Sequence, residues 1–424
     1  VAVERPPALL SVDRRLAARL GIEGGAAWEA PSSGLEVPVL SAPTEVHVAA
    51  TTRCPAGCTG CYADARPEGH EPTADEVRAR LRALAEAGVF AVAFGGGESA
   101  LRDDIGELAE YARDLGLVPT LTTSGLGVTR DRVARFRPFA QVNVSHDGVG
   151  GAYAAVRGYE GARTAERAIA VLCEAGVRVG ANTVLTRHSF PHLQATAAHL
   201  EELGCVELQL LRLKPSGRGT LNYRLRRLDP RQITAFPALL RDLSVRRRLA
   251  VRIDCALLPF LVGKATGAVT DCVSPETVRT FGVMGCEAGR SLLALRADGG
   301  VAPCSFWDGS ATTTVDGGAA GAEPACGDAE APHVPTTQQA AVTSLGPAWH
   351  GDRTLAAFRD YQRRVPEPCA SCAFRSSCRS GCRIVARALT GDPYAPDPEC
   401  PRVVAHTRTR RVDSDPLPAE ETSP

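Results

Sequence analysis

The sequence carries no excess charge of either sign: 48 basic and 48 acidic side chains cancel, beside nine histidines and a pI near 7.2. That balance removes the electrostatic case for a nucleic-acid or membrane-surface protein, whose targets present dense negative charge. Long apolar runs are also missing, none approaching the roughly 18 residues of a membrane span. The first residues, VAVERPPALL, lack the basic flank and apolar stretch of an export signal. The expectation is therefore a soluble cytoplasmic protein with no nucleic acid and no membrane among its partners. With 44% hydrophobic and 23% charged residues over 424 positions, whole-chain disorder is excluded. At about 100–200 residues per domain, the length suits two domains.

Fifteen cysteines stand out. In a small secreted domain they would suggest disulfides, but this chain is large, shows no export signal and groups most of them at tight local spacings. Metal or cluster ligation is the better reading.

Residues 1–44, rich in proline, alanine and glycine with one helical run at Val12–Leu20, read as an N-terminal extension. From Glu45, short β-branched or apolar runs alternate with helical ones. The strands are expected at Glu45–Thr52, Val89–Phe94, Leu117–Thr122, Ala140–Ser145, Val177–Leu185 and Val206–Leu211. Helices are expected at Ala74–Ala87, Asp104–Leu115, Ala162–Ala175 and Phe190–Leu203, where apolar residues recur at helical spacing. Parallel strands need crossovers, so the pattern predicts an α/β fold: a partial (β/α)6 barrel over residues 45–245. The remainder, 246–405, is a smaller cysteine-rich domain. In it Leu292–Leu295, Asp298-Gly299 and Val301–Cys304 read as a β-hairpin. A flexible insertion is expected at 309–341 and a charged, disordered tail at 406–424.

The first cysteine group, Cys54, Cys58 and Cys61 in TTRCPAGCTGCY, has the spacing C-x3-C-x2-C directly after the first strand. Three thiolates on one loop hold three irons of a cubane and leave the fourth open. A structural zinc site would want a fourth ligand nearby, and His70 is nine residues on. Catalytic groups of β/α barrels gather at strand ends. There the second strand ends in Gly95-Gly96-Gly97-Glu98, whose glycines form either an ordinary turn or a place where backbone approaches a small molecule.

Together the loop and the glycine turn resemble the radical S-adenosylmethionine superfamily, over residues 45 to about 245. The resemblance implies that Cys54, Cys58 and Cys61 hold a catalytic 4Fe-4S cluster whose open iron binds S-adenosylmethionine. One-electron reduction, from a flavodoxin or ferredoxin, then yields a 5′-deoxyadenosyl radical. It also implies that Gly96, Gly97 and Glu98 meet the methionyl amine, that Ser145 in VSHDG contacts the ribose or methionyl part, and that Arg157 in AVRGYEG pairs with the carboxylate. Without the resemblance, Ser145 is a strand-end cap and Arg157 a solvated loop charge. Two positions depart from the family pattern. Gly60 stands where relatives carry an aromatic or histidine against the adenine, leaving Tyr62 as a substitute, and Ser99 replaces a common proline.

A second array runs Cys286, Gly299, Cys304, then Cys369, Cys372, Cys378 and Cys382, then Cys400. Two zinc sites are the plain alternative for part of it. The whole array resembles the SPASM domain of radical enzymes that modify peptides and proteins. That resemblance implies two auxiliary 4Fe-4S clusters, making three in all: an outer one on Cys369, Cys372, Cys378 and Cys400, and an inner one on Cys286, Cys304 and Cys382. The inner set lacks a fourth ligand in EAGRSLLAL, so Cys255 or Cys272 swings in or an iron stays open to substrate. Cys173 and Cys205 read as small buried hydrophobes, and Cys326 receives no role.

The segment LRLKPSGRG, residues 211–219, resembles the mycofactocin and pyrroloquinoline quinone peptide maturases and also enzymes acting on tetrapyrroles. The leading expectation is a maturase of a ribosomally made peptide or protein, forming a crosslink or thioether. Because residues 1–44 are too short for a leader-binding module, a separate leader-peptide recognition protein or a leader-independent substrate is expected. Sulfatase maturation is disfavoured, since Ser305 follows Cys304 where those relatives place aspartate. The alternatives are tetrapyrrole side-chain modification and, from another class, a non-catalytic iron-sulfur electron carrier or redox sensor.

Overall fold

The computed structural model describes residues 2–4, 7–9, 40–262, 284–309, 345–361 and 365–414. Six parallel strands form where the alternation of the sequence predicts them: β1 Glu45–Thr51, β2 Ala91–Gly96, β3 Val118–Thr123, β4 Gln141–Ser145, β5 Val179–Leu185 and β6 Glu207–Arg212. Three more join the same sheet: β7 Ala250–Ile253, β8 Leu292–Leu295 and β9 Val301–Ala302. The order is β9-β8-β1-β2-β3-β4-β5-β6-β7, parallel throughout except for the β8–β9 hairpin. The edges do not pair, so the sheet is open. A short antiparallel pair, Ala2–Glu4 with Pro7–Leu9, stands apart from it.

Period-2 burial sets the two faces of the sheet. Val46, Val48 and Ala50 of β1 and Val142 and Val144 of β4 are buried in the main core beneath the helices. The intervening residues, among them His47, Asn143 and Ser145, belong to the opposite, concave face. The helices are α1 Ala74–Glu86, α2 Ile105–Asp114, α3 Ala152–Arg157, α4 Ala162–Glu174, α5 Leu193–Glu202 and α6 Pro230–Arg246. Helix α1 shows why the sequence folds so locally. Thr73 accepts from the Glu76 N–H while Glu76 accepts from the Thr73 N–H at 2.7 Å, a reciprocal cap. Val77, Leu81 and Leu84 then bury one face against the sheet.

Three readings meet the structure differently. Strand β7, four residues with Arg252 exposed, lies just past the expected end of the barrel at 245, because a short charged edge strand carries little apolar signal. The expected disorder from residue 406 is corrected: 406–414 continue helix α9, Pro401–Ser414. Pro401 starts that helix favourably, and the Thr407 and Thr409 hydroxyls donate to carbonyls four residues back. The helical run at 12–20 and residues 310–341 of the insertion lie outside the described residues, as do Cys272 and Cys326. Among the described residues, no helix is long and apolar enough to cross a membrane.

Candidate functional site

The Cys54 loop leaves the end of β1 and is held from several sides. Cys54 N donates to Arg66 O at 2.8 Å, and Thr59 N donates to Arg157 O at 3.0 Å. Arg218 clasps the loop from the far side of the barrel, donating to Cys58 O and Ala65 O, both at 3.0 Å, and pairing with Asp64 at 2.8 Å. Ser216 donates to Tyr62 O at 3.1 Å. The LRLKPSGRG segment, which in sequence spoke only of substrate class, thus also fastens the cysteine loop.

The glycine turn at the end of β2 presses against the same backbone. Gly96 adopts φ +101°, and a Cβ on Gly97 would come within 2.2 Å of Arg53 O, so neither position accepts a side chain. Gly97 N donates to Thr51 O at 2.6 Å and Glu98 N to Arg53 O at 2.9 Å. Glu98 is buried, and its carboxylate accepts from Thr123 Oγ1 at 2.6 Å, from Ser124 N at 2.8 Å and from the Ser124 hydroxyl. Burial raises its pKa against those bonds. Glu98 therefore braces β2 to β3 while lying close enough to Cys54 for their charges to interact.

Arg157 ends α3 beside the loop, not in solvent. Its Nη1 is 3.8 Å from Cys58 Sγ, and its Nε donates to Asp147, a fully buried carboxylate that also accepts from Val184 N at 2.7 Å. Burial opposes the Arg157 charge, but Asp147 and Cys58 outweigh it and raise the pKa further. Tyr159 lies 4.0 Å from the same sulfur. Ser145 closes β4 on the concave face, in register with Asn182 of β5, and the buried Asn182 Oδ1 has no hydrogen-bond partner. Such an orphan beside a serine, across the mouth from three thiols and a glycine cradle, fits a polar small molecule bound there. Asp147, Tyr159 and Asn182 went unnoticed in the sequence because nothing local marks a buried partner. Tyr62, the proposed adenine substitute, packs its ring on Phe306 with centroids 4.7 Å apart, and burial pushes its phenol up to about 12.

The structure brings downstream cysteines together in two places. Cys369, Cys372, Cys378 and Cys400 line one cavity with Pro259 and Val262. Cys378 sits in α7, Arg375–Cys378, Cys382 stands at the N-terminus of α8, Arg383–Thr390, and Cys400 lies just before α9. Cys304 packs both on the apolar cluster that contains Cys382 and on the one that contains Cys286, and burial pushes its thiol up to about 12. Gly285 brings the two sets together: its N–H donates to Ser377 O at 2.7 Å, and a Cβ there would strike Cys378 O at 2.0 Å. Ser305 holds the hairpin to the barrel through a 2.7 Å hydrogen bond with His47 of β1.

The spread of the sulfurs bears on what they hold. A tetrahedral zinc at about 2.3 Å from each sulfur keeps them about 3.8 Å apart, whereas a cubane binds each sulfur to a different iron and spaces them wider. Among the described residues, no three cysteine sulfurs lie within 4.8 Å of one another. The one His, Cys, Asp or Glu group that does is His146, Glu166 and His199. There Glu166 Oε1 lies 3.4 Å and 3.1 Å from the two imidazole Nε2 atoms, a shared carboxylate tying α4 and α5 to the end of β4. The all-thiol donor sets at wide spacing fit clusters better than single ions.

Residues 48–199 match the model of the Radical SAM superfamily. The PqqA peptide cyclase of Ruegeria pomeroyi is 28% identical over 387 residues, covering 89% of this chain and 92% of that one. The pre-heme d1 synthase of Dinoroseobacter shibae is 29% identical over 380 residues, 85% and 86% of the two chains. The crystal structure of Streptococcus suis SuiB bound to precursor peptide SuiA superposes with a TM-score of 0.60 at 18% identity, over 85% of this chain and 76% of that one. Since the family match runs over the strands that carry the Cys54 loop, the Gly96 turn, Ser145 and Arg157, residues 48–199 form a domain of the Radical SAM superfamily, and the chain is an enzyme working with S-adenosylmethionine and an iron-sulfur cluster.

Proposed function

We propose that this enzyme modifies a peptide or protein substrate and holds three 4Fe-4S clusters, one at Cys54, Cys58 and Cys61 and two auxiliary ones downstream. The observation that carries the reading is the extent of the likeness to a peptide cyclase, which takes in 89% of the chain and so runs past the barrel into the region of the auxiliary cysteines. SuiB, whose fold this chain shares, has been seen with its precursor peptide. Membership of the enzyme superfamily sets aside the non-catalytic carrier.

When bound, the first cluster and S-adenosylmethionine supply reductive cleavage to a 5′-deoxyadenosyl radical, which abstracts hydrogen from carbon. The chain's own residues position the reactants. Backbone at Gly96 receives the methionyl amine, the remaining face of the Arg157 fork takes the carboxylate, and Ser145 with Asn182 offers partners to the ribose or methionyl portion. Asp147 holds Arg157 charged and aimed. Tyr62, one residue past Cys61, touches Phe306, two past Cys304, so an aromatic pair joins the radical site to the inner auxiliary set. A flavodoxin or ferredoxin is the reductant, and a separate leader-recognition protein is a further partner to seek.

The test is anaerobic incubation of the reconstituted enzyme with S-adenosylmethionine, reductant and candidate precursor peptides drawn from short reading frames found near its gene. Loss of two hydrogens from the peptide, matched by 5′-deoxyadenosine, supports the reading. An unmodified peptide with turnover of a tetrapyrrole instead would establish the second reading, which the likeness to pre-heme d1 synthase favours.

A further inference from the structure

The inner set of Cys286, Cys304 and Cys382 is one thiolate short of the four a cubane takes. Where the fourth ligand comes from decides what the site can do. An iron left open binds a substrate thiolate, its preferred soft ligand, whereas a closed cluster only passes electrons. Cys255 is placed to close it.

Cys255 opens the turn Cys255–Leu257 directly after β7, with Asp254 capping the turn by accepting from Ala256 N at 3.0 Å. The peptide that follows is tied to the inner set through one buried guanidinium. Arg212 Nη1 donates to Ala256 O at 2.9 Å, and the same fork grips Asp397 at 2.6 and 3.0 Å. Asp397 Oδ2 in turn accepts from Cys382 N at 3.0 Å. Ala256 and Cys382 share one apolar cluster on which Cys304 packs, and Cys304 also packs against the cluster containing Cys286. Lys214, buried with its ammonium on Asp254 and 4.1 Å from the Phe306 ring centroid, places a cation beside the residue that precedes Cys255 and offers the countercharge that clustered thiolates require.

We infer that Cys255 is the fourth thiolate of the inner auxiliary site, which is thereby closed to a substrate thiol and serves as an electron relay. The inference rests on the auxiliary-cluster reading above and narrows its chemistry: any bond made to the substrate forms without sulfur bound to this cluster.

The test uses the full chain, reconstituted anaerobically, in two measurements. In the first, iodoacetamide labelling is mapped by mass spectrometry before and after iron is stripped with a chelator. Cys255 should be protected together with Cys286, Cys304 and Cys382, at least tenfold over its rate in stripped protein, while Cys173 labels in both. Labelling of Cys255 at the stripped rate with the other three protected overturns the inference, as does protection of Cys272 in its place. In the second, Cys54, Cys58 and Cys61 are changed to alanine so that only auxiliary signals remain in the electron paramagnetic resonance spectrum. Adding Cys255→Ala should alter one signal and make it respond to 2-mercaptoethanol, and Cys255→Ser should give a third, distinct form. Spectra unchanged by either substitution overturn the inference. If the alanine form does not fold, the labelling of unmodified protein still decides. Iron near four per chain in unmodified protein would sink the auxiliary reading itself, whereas auxiliary iron with Cys255 freely labelled sinks only this inference.

Discussion

The two cysteine-bearing regions are built on opposite plans. Cys54, Cys58 and Cys61 occupy eight consecutive residues on a loop that a nine-stranded sheet positions from outside. The auxiliary sets draw sulfurs from Cys286 to Cys400, and among the described residues the backbone around them is turns, one short hairpin and helices of 4 to 14 residues. In the first region the scaffold places the ligands. In the second, long loops must be closed, and on the proposed reading the metal-ligand bonds themselves do much of the closing, as in small domains whose folding is coupled to metal.

The sharpest way to break this contrast is to remove each ligand group in turn. Changing Cys54, Cys58 and Cys61 to alanine should abolish S-adenosylmethionine cleavage while circular dichroism and protease resistance stay near those of the parent. Changing Cys369, Cys372, Cys378 and Cys400 should instead expose the residues after 284 to proteolysis and leave the barrel resistant. Equal damage from both would erase the distinction.

Next in size is the ion-pair network that stands in for regular structure in the second region. Arg212, Asp397 and Glu399 are buried, with Arg212 forked on Asp397 and 2.8 Å from Glu399. Removing one partner of a buried pair costs about 3–5 kcal/mol, so Arg212→Met should lower the unfolding free energy, measured by denaturant titration, by that much, with loss of inner-site iron. Burial alone would raise the Asp397 pKa, but Arg212 outweighs it and holds it below the ordinary value. A depressed carboxylate stabilises the fold above its unfolded pKa of about 3.9. That contribution should be lost as pH falls through the folded value, and Arg212→Met should flatten stability against pH there.

Within the barrel the effects are smaller and fall on the cofactor. Arg157→Ala should weaken S-adenosylmethionine binding by about ten- to a hundred-fold, from a charge-assisted bond worth roughly 1.5–3 kcal/mol, with iron content intact by colorimetric assay. Ser145→Ala, losing one neutral hydrogen bond of about 0.5–1.5 kcal/mol, should weaken it about two- to tenfold. Isothermal titration under nitrogen reads both.

How much of this was legible in the sequence follows the same division. Six strands and four helices were marked by apolar periods, and C-x3-C-x2-C announced its own chemistry, because every signal lay within one element. The grouping of the later cysteines came from a resemblance to a known pattern, not from physics that the sequence displays. What stayed hidden was non-local: Asp147 behind Arg157, Asn182 beside Ser145, and Arg212 joining β6 to Asp397, 185 residues on. A buried counter-ion has no local signature, since only folding gives it a partner. Cys255 was named beside Cys272 as a candidate fourth ligand, but the Arg212–Asp397 link that ties the turn after it to Cys382 joins residues 185 apart and has no local signature.

The central claim, one catalytic and two auxiliary clusters, is tested most directly by iron content and Mössbauer spectroscopy on anaerobically reconstituted protein. Three cubanes predict about twelve irons per chain, with about a third lost when Cys54, Cys58 and Cys61 become alanine. Iron near four in the parent, falling to none in that variant, would contradict it.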